Sequence, residues 1–155
     1  MPSPEDKLKA LGHTLPKPMA PVANYVPFVR SGNLVHISGQ ISKLGDEMVQ
    51  GRLGEDLTVE TGQRAAQLCA LNLIAQMKAA AGSLDNIARV VKLGGFVQCA
   101  DAETGSTIPQ IINGASDLMV EVFGEAGRHA RFAVSAPRLP LDVAVEIDAI
   151  IEVRD

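Results

Sequence analysis

Apolar and polar positions alternate most cleanly late in the chain. Across Asp142–Val153, Val143, Val145, Ile147, Ala149, Ile151 and Val153 fall on one face of an extended strand, while Ala144, Glu146, Asp148, Ile150 and Glu152 fall on the other. A surface strand would not need apolar residues on both faces, and a fully buried one would not carry carboxylates. The pattern predicts helices against one face and a polar, partly enclosed space against the other. Ala130–Ala136 reads as a preceding strand, and Pro137 and Pro140 predict a turn, so His129–Val153 is expected to form a hairpin. Arg131 opens its first strand among small and apolar neighbours. A guanidinium so placed needs an anion, either an internal carboxylate, Glu146 or Asp148, or a bound ligand.

The chain upstream is punctuated clearly. Ser3 caps a short helix with Pro4 in its first turn and Gly12 at its end. Leu15–Pro21 holds three prolines and is an extended connection. Asn24–Arg30 and Leu34–Ser42 read as a hairpin about Ser31-Gly32-Asn33, and Glu47–Arg52 as a short third strand. Thr58 caps a long helix to Ala81, ended by Gly82. Ala66, Ala70, Leu73, Ile74 and Met77 form its core stripe, and Leu68, Leu71 and Ala75 predict a second buried contact. Ser83–Ala88 is a helical turn, and Arg89–Cys99 the next strand. Ser106 or Thr107 opens a second long helix, with Ile108, Ile111, Ala115, Leu118, Met119 and Val122 inward and Gly124 closing it. Two long helices on one face of a mixed sheet make an α+β two-layer domain spanning residues 1–155.

Composition narrows the function classes. The chain has 155 residues, 46% hydrophobic and 21% charged, as expected of a globular domain with a real core. A net charge of −4 and an aromatic content of 3% oppose an extended nucleic-acid surface or a base-stacking platform. No apolar run approaches the roughly 18 residues of a membrane span. With no signal-like N-terminus the expectation is a cytoplasmic protein, with Cys69 and Cys99 as buried thiols rather than a disulfide. Phosphate loops, HExxH, CxxC and G-x-S-x-G are absent from the sequence. His36 and His129 with Glu146 is the one metal-ligand combination worth considering, and the expectation is no metal and no cofactor.

Several stretches together resemble one family. Asn24-Tyr25-Val26 and Ile37-Ser38-Gly39-Gln40-Ile41 are similar to the N-terminal signature of the RidA/YjgF family, often labelled endoribonuclease L-PSP. His129–Val134, Arg138-Leu139-Pro140 and Val145–Ile150 resemble its C-terminal signature, and Asn113–Leu118 resembles its YjgF chorismate-mutase-like branch. The resemblance runs from about Val22 to Val153. It implies a chorismate-mutase-like fold, a homotrimer, and ligand sites in clefts between subunits. It further implies hydrolysis of reactive 2-aminoacrylate-type enamines and imines to 2-keto acids and ammonia. Arg131 matches the family's carboxylate-binding arginine, suited to a bidentate grip, and Glu146 its water-positioning glutamate. Tyr25, Ser38, Gly39, Asn113 and Ala133 fall at substrate-contacting positions. Ala133 stands where the archetype has cysteine, and Phe132, in place of a small polar residue, is expected to narrow the cleft. The alternative is a non-catalytic sensor or scaffold that binds a small carboxylate such as a keto acid, with ribonuclease a more distant reading.

Overall fold

The structure, a computed structural model, describes residues 1–101 and 104–155. Helix α1 (Pro4–Ala10) starts on a reciprocal capping box between Ser3 and Asp6. Strands β1 (Phe28–Ser31) and β2 (Leu34–Ile41) form a hairpin through Gly32-Asn33, with Gly32 at φ 62° as the first turn residue. Strands β3 (Lys43–Leu44) and β4 (Glu47–Met48) make a small separate ladder. They replace the predicted third strand at 47–52.

Helix α2 (Val59–Ala81) begins at Thr58, whose side chain trades hydrogen bonds with Thr61, and ends at Gly82 in the left-handed conformation. Its predicted stripe and its second apolar face are both buried, because α2 packs on α3 as well as on the sheet. A helical turn (Leu84–Asn86) leads into the longest strand, β5 (Ile87–Gln98). Helix α3 (Ile108–Phe123) buries each predicted core position. Strands β6 (Ala130–Ala136) and β7 (Val145–Val153) complete the sheet.

The five-stranded sheet has the order β1-β2-β7-β5-β6. Only β5 and β6 run parallel; the other neighbours are antiparallel. The predicted C-terminal hairpin does not form, because β5 lies between β6 and β7. Two causes are visible. The connection from Pro137 to Ala144 carries two prolines and a helical turn at Pro140–Asp142, too long and stiff for a tight hairpin turn. And β7 buries Val145, Ile147, Ala149, Ile151 and Val153 at 2% exposure or less, so a central place with a partner on each side rewards it most.

The helices cover one face of the sheet. The other face carries Glu146, Asp148, Ile150 and Glu152 of β7, as the alternation predicted. It also carries Phe96 and Phe132, packed edge to face at 5.5 Å, with the Lys92 ammonium 5.4 Å from the Phe132 ring. Cys69 and Cys99 are buried free thiols. Burial pushes the Cys69 thiol well above its ordinary pKa. No helix among the described residues is long and apolar enough to cross a membrane.

Candidate functional site

Glu146 sits at the inner end of a cleft created by an early departure of β1. The ladder between β1 and β2 stops at Phe28↔Ile37. Beyond it, the Ser38 N–H still donates to the Pro27 carbonyl at 2.9 Å, and β2 then runs on to Ile41 outside that ladder. The preceding chain, predicted as strand from Asn24, instead bends away and lies alongside. Two side chains pin it there. The Gln76 amide donates to the Met19 carbonyl at 2.9 Å, and the Ser38 hydroxyl donates to the Val26 carbonyl at 2.8 Å. The cleft between has a volume of about 490 Å³ and is bordered by Met19–Ala23, Tyr25, Ser38–Ile41, Leu141 and Glu146.

A β-bulge shapes its floor. Ile37 pairs with Ala149, but Gln40 pairs with Ile147, so β2 carries one extra residue at Ser38-Gly39. The bulge turns Gly39 onto the Glu146 side chain. A Cβ at Gly39 would lie 3.2 Å from the Glu146 carboxyl carbon, so glycine is what lets the strand pass so close. Glu146 is half-buried. Burial, and secondarily the charge of Asp148, raise its carboxyl above the ordinary range.

The rim opposite is held by two side-chain amides, one buried and one exposed. Leu141 and Asp142 have φ of 58° and 57°, a conformation costing roughly 1–2 kcal/mol per residue and one that persists where neighbours over-determine it. Gln98, fully buried, supplies most of the restraint. It donates to Asp142 Oδ1 at 2.8 Å and to the Gly51 carbonyl at 2.9 Å, and accepts from the Leu139 N–H at 2.7 Å. Gln50 adds a donor to the Leu141 carbonyl at 2.9 Å.

Arg131 lies elsewhere. It is level with Leu93 and, beyond it, Ala149, both core residues, so its side chain points to the helix face, whereas Glu146 points to the open face. Its Nη1 donates to Ser116 Oγ at 3.0 Å and its Nη2 to the Pro109 carbonyl at 3.1 Å. Among the described residues no carboxylate is paired with it, so the internal bridge to Glu146 or Asp148 considered from sequence is not formed. Pro109, Asn113 and Ser116 share one face of α3 by their spacing, which puts Asn113 on the Arg131 side. Ala133, two residues on, packs against the core from the same face of β6. His129 completes this cluster. Its Nδ1 meets the Gly127 carbonyl at 2.6 Å, an acceptor only, so Nδ1 carries the proton and Nε2 accepts from the Ser116 hydroxyl at 2.8 Å.

The residues singled out from the sequence thus form two groups on opposite faces. Tyr25, Ser38, Gly39 and Glu146 gather at the cleft; Arg131, Asn113 and Ala133 gather where β6 meets α3. Phe132 belongs to neither: it lies on the open face and does not line the cleft within one chain. His36 is exposed on β2 and His129 is engaged beside α3, so they do not join Glu146 in a metal-ligating group among the described residues. Sequence reasoning missed Ser116, Gln98 and Leu141. Ser116 stands three residues after Asn113 and so on the same helical face, a spacing that would have found it.

The fold and the divided site define a class: α+β, two-layer, chorismate-mutase-like. Residues 5–152 match the family described as "YjgF/chorismate mutase-like, putative endoribonuclease", and the chain belongs to that family. It is 48% identical over 151 residues to Protein TCP17 of Trypanosoma cruzi, covering 96% of this chain and 92% of that protein. A crystal structure from Shewanella oneidensis MR-1, described as that of a "putative endoribonuclease", superposes with a TM-score of 0.92 at 38% identity, covering 97% of this chain and 99% of the other. E. coli TdcF with bound serine superposes at 0.63 with 27% identity, covering 92% and 97%.

Proposed function

We propose that this chain hydrolyses reactive enamines and imines of the 2-aminoacrylate type, at clefts assembled between copies of itself in a homotrimer. The observation that carries the reading is the half-buried Glu146 beneath Gly39, with its carboxyl raised toward the pH range of a useful base. The enamine tautomerises to its imine. Water adds to the imine carbon; Glu146 orients it and takes its proton. Glu146 passes that proton to nitrogen, giving a carbinolamine; as the C–N bond breaks, the carbinolamine hydroxyl proton is relayed through Glu146 to nitrogen, which leaves as ammonia, and the oxygen stays as the keto group. Arg131 holds the substrate carboxylate through its fork.

Within one chain Arg131 and Glu146 face opposite ways, so the cleft of one copy is completed by the β6 edge of the next. Two features support that assembly. The open face leaves Val29, Leu34 and Val134 uncovered by the chain's own helices. The family is also one of oligomers. TdcF, a relative at 27% identity, is described with bound serine, a small amino acid of the size and charge this reading requires.

The test is a coupled assay that releases 2-aminoacrylate in situ and follows pyruvate or ammonia. The expected result is turnover above the solvent rate that disappears in Arg131→Ala. Carboxylate binding without turnover would make the chain a sensor rather than an enzyme.

A further inference from the structure

A serine and a histidine meet where α3 faces the start of β6. Ser116 sits in the middle of α3, and His129 directly precedes β6, so both are carried on rigid elements. Both are half-buried. The Ser116 hydroxyl donates to His129 Nε2 at 2.8 Å, because His129 Nδ1 keeps its proton on the Gly127 carbonyl at 2.6 Å. That carbonyl is not free to turn away. Gly127 is buried flush against the Met119 carbonyl, where a Cβ would not fit. The histidine is thereby fixed in the one tautomer that presents a lone pair to the serine proton. A serine hydroxyl is a weak nucleophile until a base stands at its proton and a third group orients that base. Here His129 is the base and the Gly127 carbonyl the orienting group. An oxygen that only supported Arg131 would need no base at its proton. Donors for a developing oxyanion stand close by. Arg131 Nη1 donates to Ser116 Oγ at 3.0 Å and Nη2 to the Pro109 carbonyl at 3.1 Å, and these bonds leave further guanidinium N–H groups for an acceptor. Asn113, one turn earlier on the same face of α3, brings an amide donor to the same side.

We propose that Ser116 is a nucleophile with His129 as its base, and that this pair hydrolyses short-chain carboxylic esters through an acyl-serine. The activity goes beyond the imine reaction and does not rest on it, since that reaction forms no covalent bond to the chain. Ser116 Oγ attacks the ester carbonyl carbon as its proton passes to His129 Nε2. The carbonyl oxygen, now negative, accepts from Arg131 and Asn113. The ester C–O bond breaks, and the alcohol leaves with the proton from His129. Water then attacks the acyl carbon and gives a proton to His129, the bond to Ser116 Oγ breaks, and that oxygen takes the proton back. The acid is released as a carboxylate beside a guanidinium. The half-buried position of Ser116 between α3 and β6 favours a small acyl group.

The experiment treats the full chain with an alkyl fluorophosphonate, maps the adduct by peptide mass spectrometry, and follows 4-nitrophenyl acetate hydrolysis in parallel. Wild type is expected to carry the phosphonyl group on Ser116 and to hydrolyse the ester above the solvent rate. Ser116→Ala should take up no label and fall to the solvent rate. His129→Gln keeps Ser116 but removes the base, and should slow both labelling and hydrolysis by about 10²–10⁴-fold. A purely structural serine would not be labelled, so the adduct separates the two roles. The wild-type adduct also decides the matter should Ser116→Ala melt early. No adduct, or an adduct on another residue, overturns the proposal. So does ester hydrolysis unchanged in Ser116→Ala, or labelling of His129→Gln at the wild-type rate. Because labelling needs no imine, failure of the imine assay with Ser116 still labelled would sink that reading and leave this one standing. Imine turnover with Ser116 unlabelled would do the reverse.

Discussion

The two halves of the site are built in opposite ways. The Arg131 half is tied: its guanidinium rests on a serine hydroxyl and a backbone carbonyl, and that serine is itself ordered by His129. The Glu146 half is open: its carboxylate is flanked by a bulge and a second carboxylate, Asp148, and is held by burial rather than by a cation. In the proposed reaction the arginine holds a charge and is pre-oriented, whereas the glutamate changes its charge and has no counter-ion, a contrast that suits those two tasks.

The sharpest way to break the comparison is to separate the halves onto different chains. Arg131→Ala and Glu146→Gln should each lose activity, Glu146→Gln by roughly 10²–10⁴-fold. If each cleft draws Arg131 from one copy and Glu146 from another, mixing and reassembling the two variants in equal amounts restores about a quarter of the sites. Recovered activity in the mixed assembly would support the division; none would place both residues of a working site on one chain.

A smaller effect probes the tie itself. Ser116→Ala removes the hydroxyl that links Arg131 to His129. Keto-acid affinity, measured by calorimetry, should weaken by up to about 1.5–3 kcal/mol, the value of one hydrogen bond to a charged group, with KM rising more than kcat falls. Ser116→Thr, which keeps the hydroxyl, should recover the affinity. An unchanged affinity in Ser116→Ala would show that Arg131 needs no such support.

The smallest effect is a matter of stability and pH. The folded Glu146 carboxyl titrates above its unfolded value of about 4.3. The folded state therefore holds this proton more tightly. The stabilisation it brings is full below about pH 4 and is lost as pH rises through the folded pKa. Glu146→Gln should accordingly melt higher than wild type at neutral pH, and the difference should shrink toward zero on acidification. Melting curves between acid and neutral pH measure it, and a constant offset would contradict the raised carboxyl.

Short-range features are legible in the amino-acid sequence. The caps at Ser3, Thr58 and Gly82, the stripes of α2 and α3 and the alternation of β7 are all local, and each stands where the residue pattern puts it. Strand order is not legible. Nothing local to Pro137–Asp142 says that β5 will come between β6 and β7, because that choice depends on which strand gains most from two neighbours. The segment ahead of β1 misleads for a related reason. Tyr25 and Val26 are good strand formers, but Ser38 and Gln76 take hold of the chain there and draw it into a cleft wall. The family motifs mark residues for the site without revealing that they face opposite sides of the sheet. Leu141 carries no signal, since only its backbone angle makes it unusual.

The placement of β7 also governs when the protein can come into being during synthesis. The sheet's middle strand is the last of its five to leave the ribosome. Until it emerges, β2 and β5 are edges with apolar faces and no partner between them, and only the β1–β2 hairpin and the β5-α3-β6 unit have their neighbours in hand. Domains made from the N-terminus onward ordinarily accumulate structure as they lengthen. This one accumulates two unfinished halves, and long-range pairing of β7 with both closes them in a single late step.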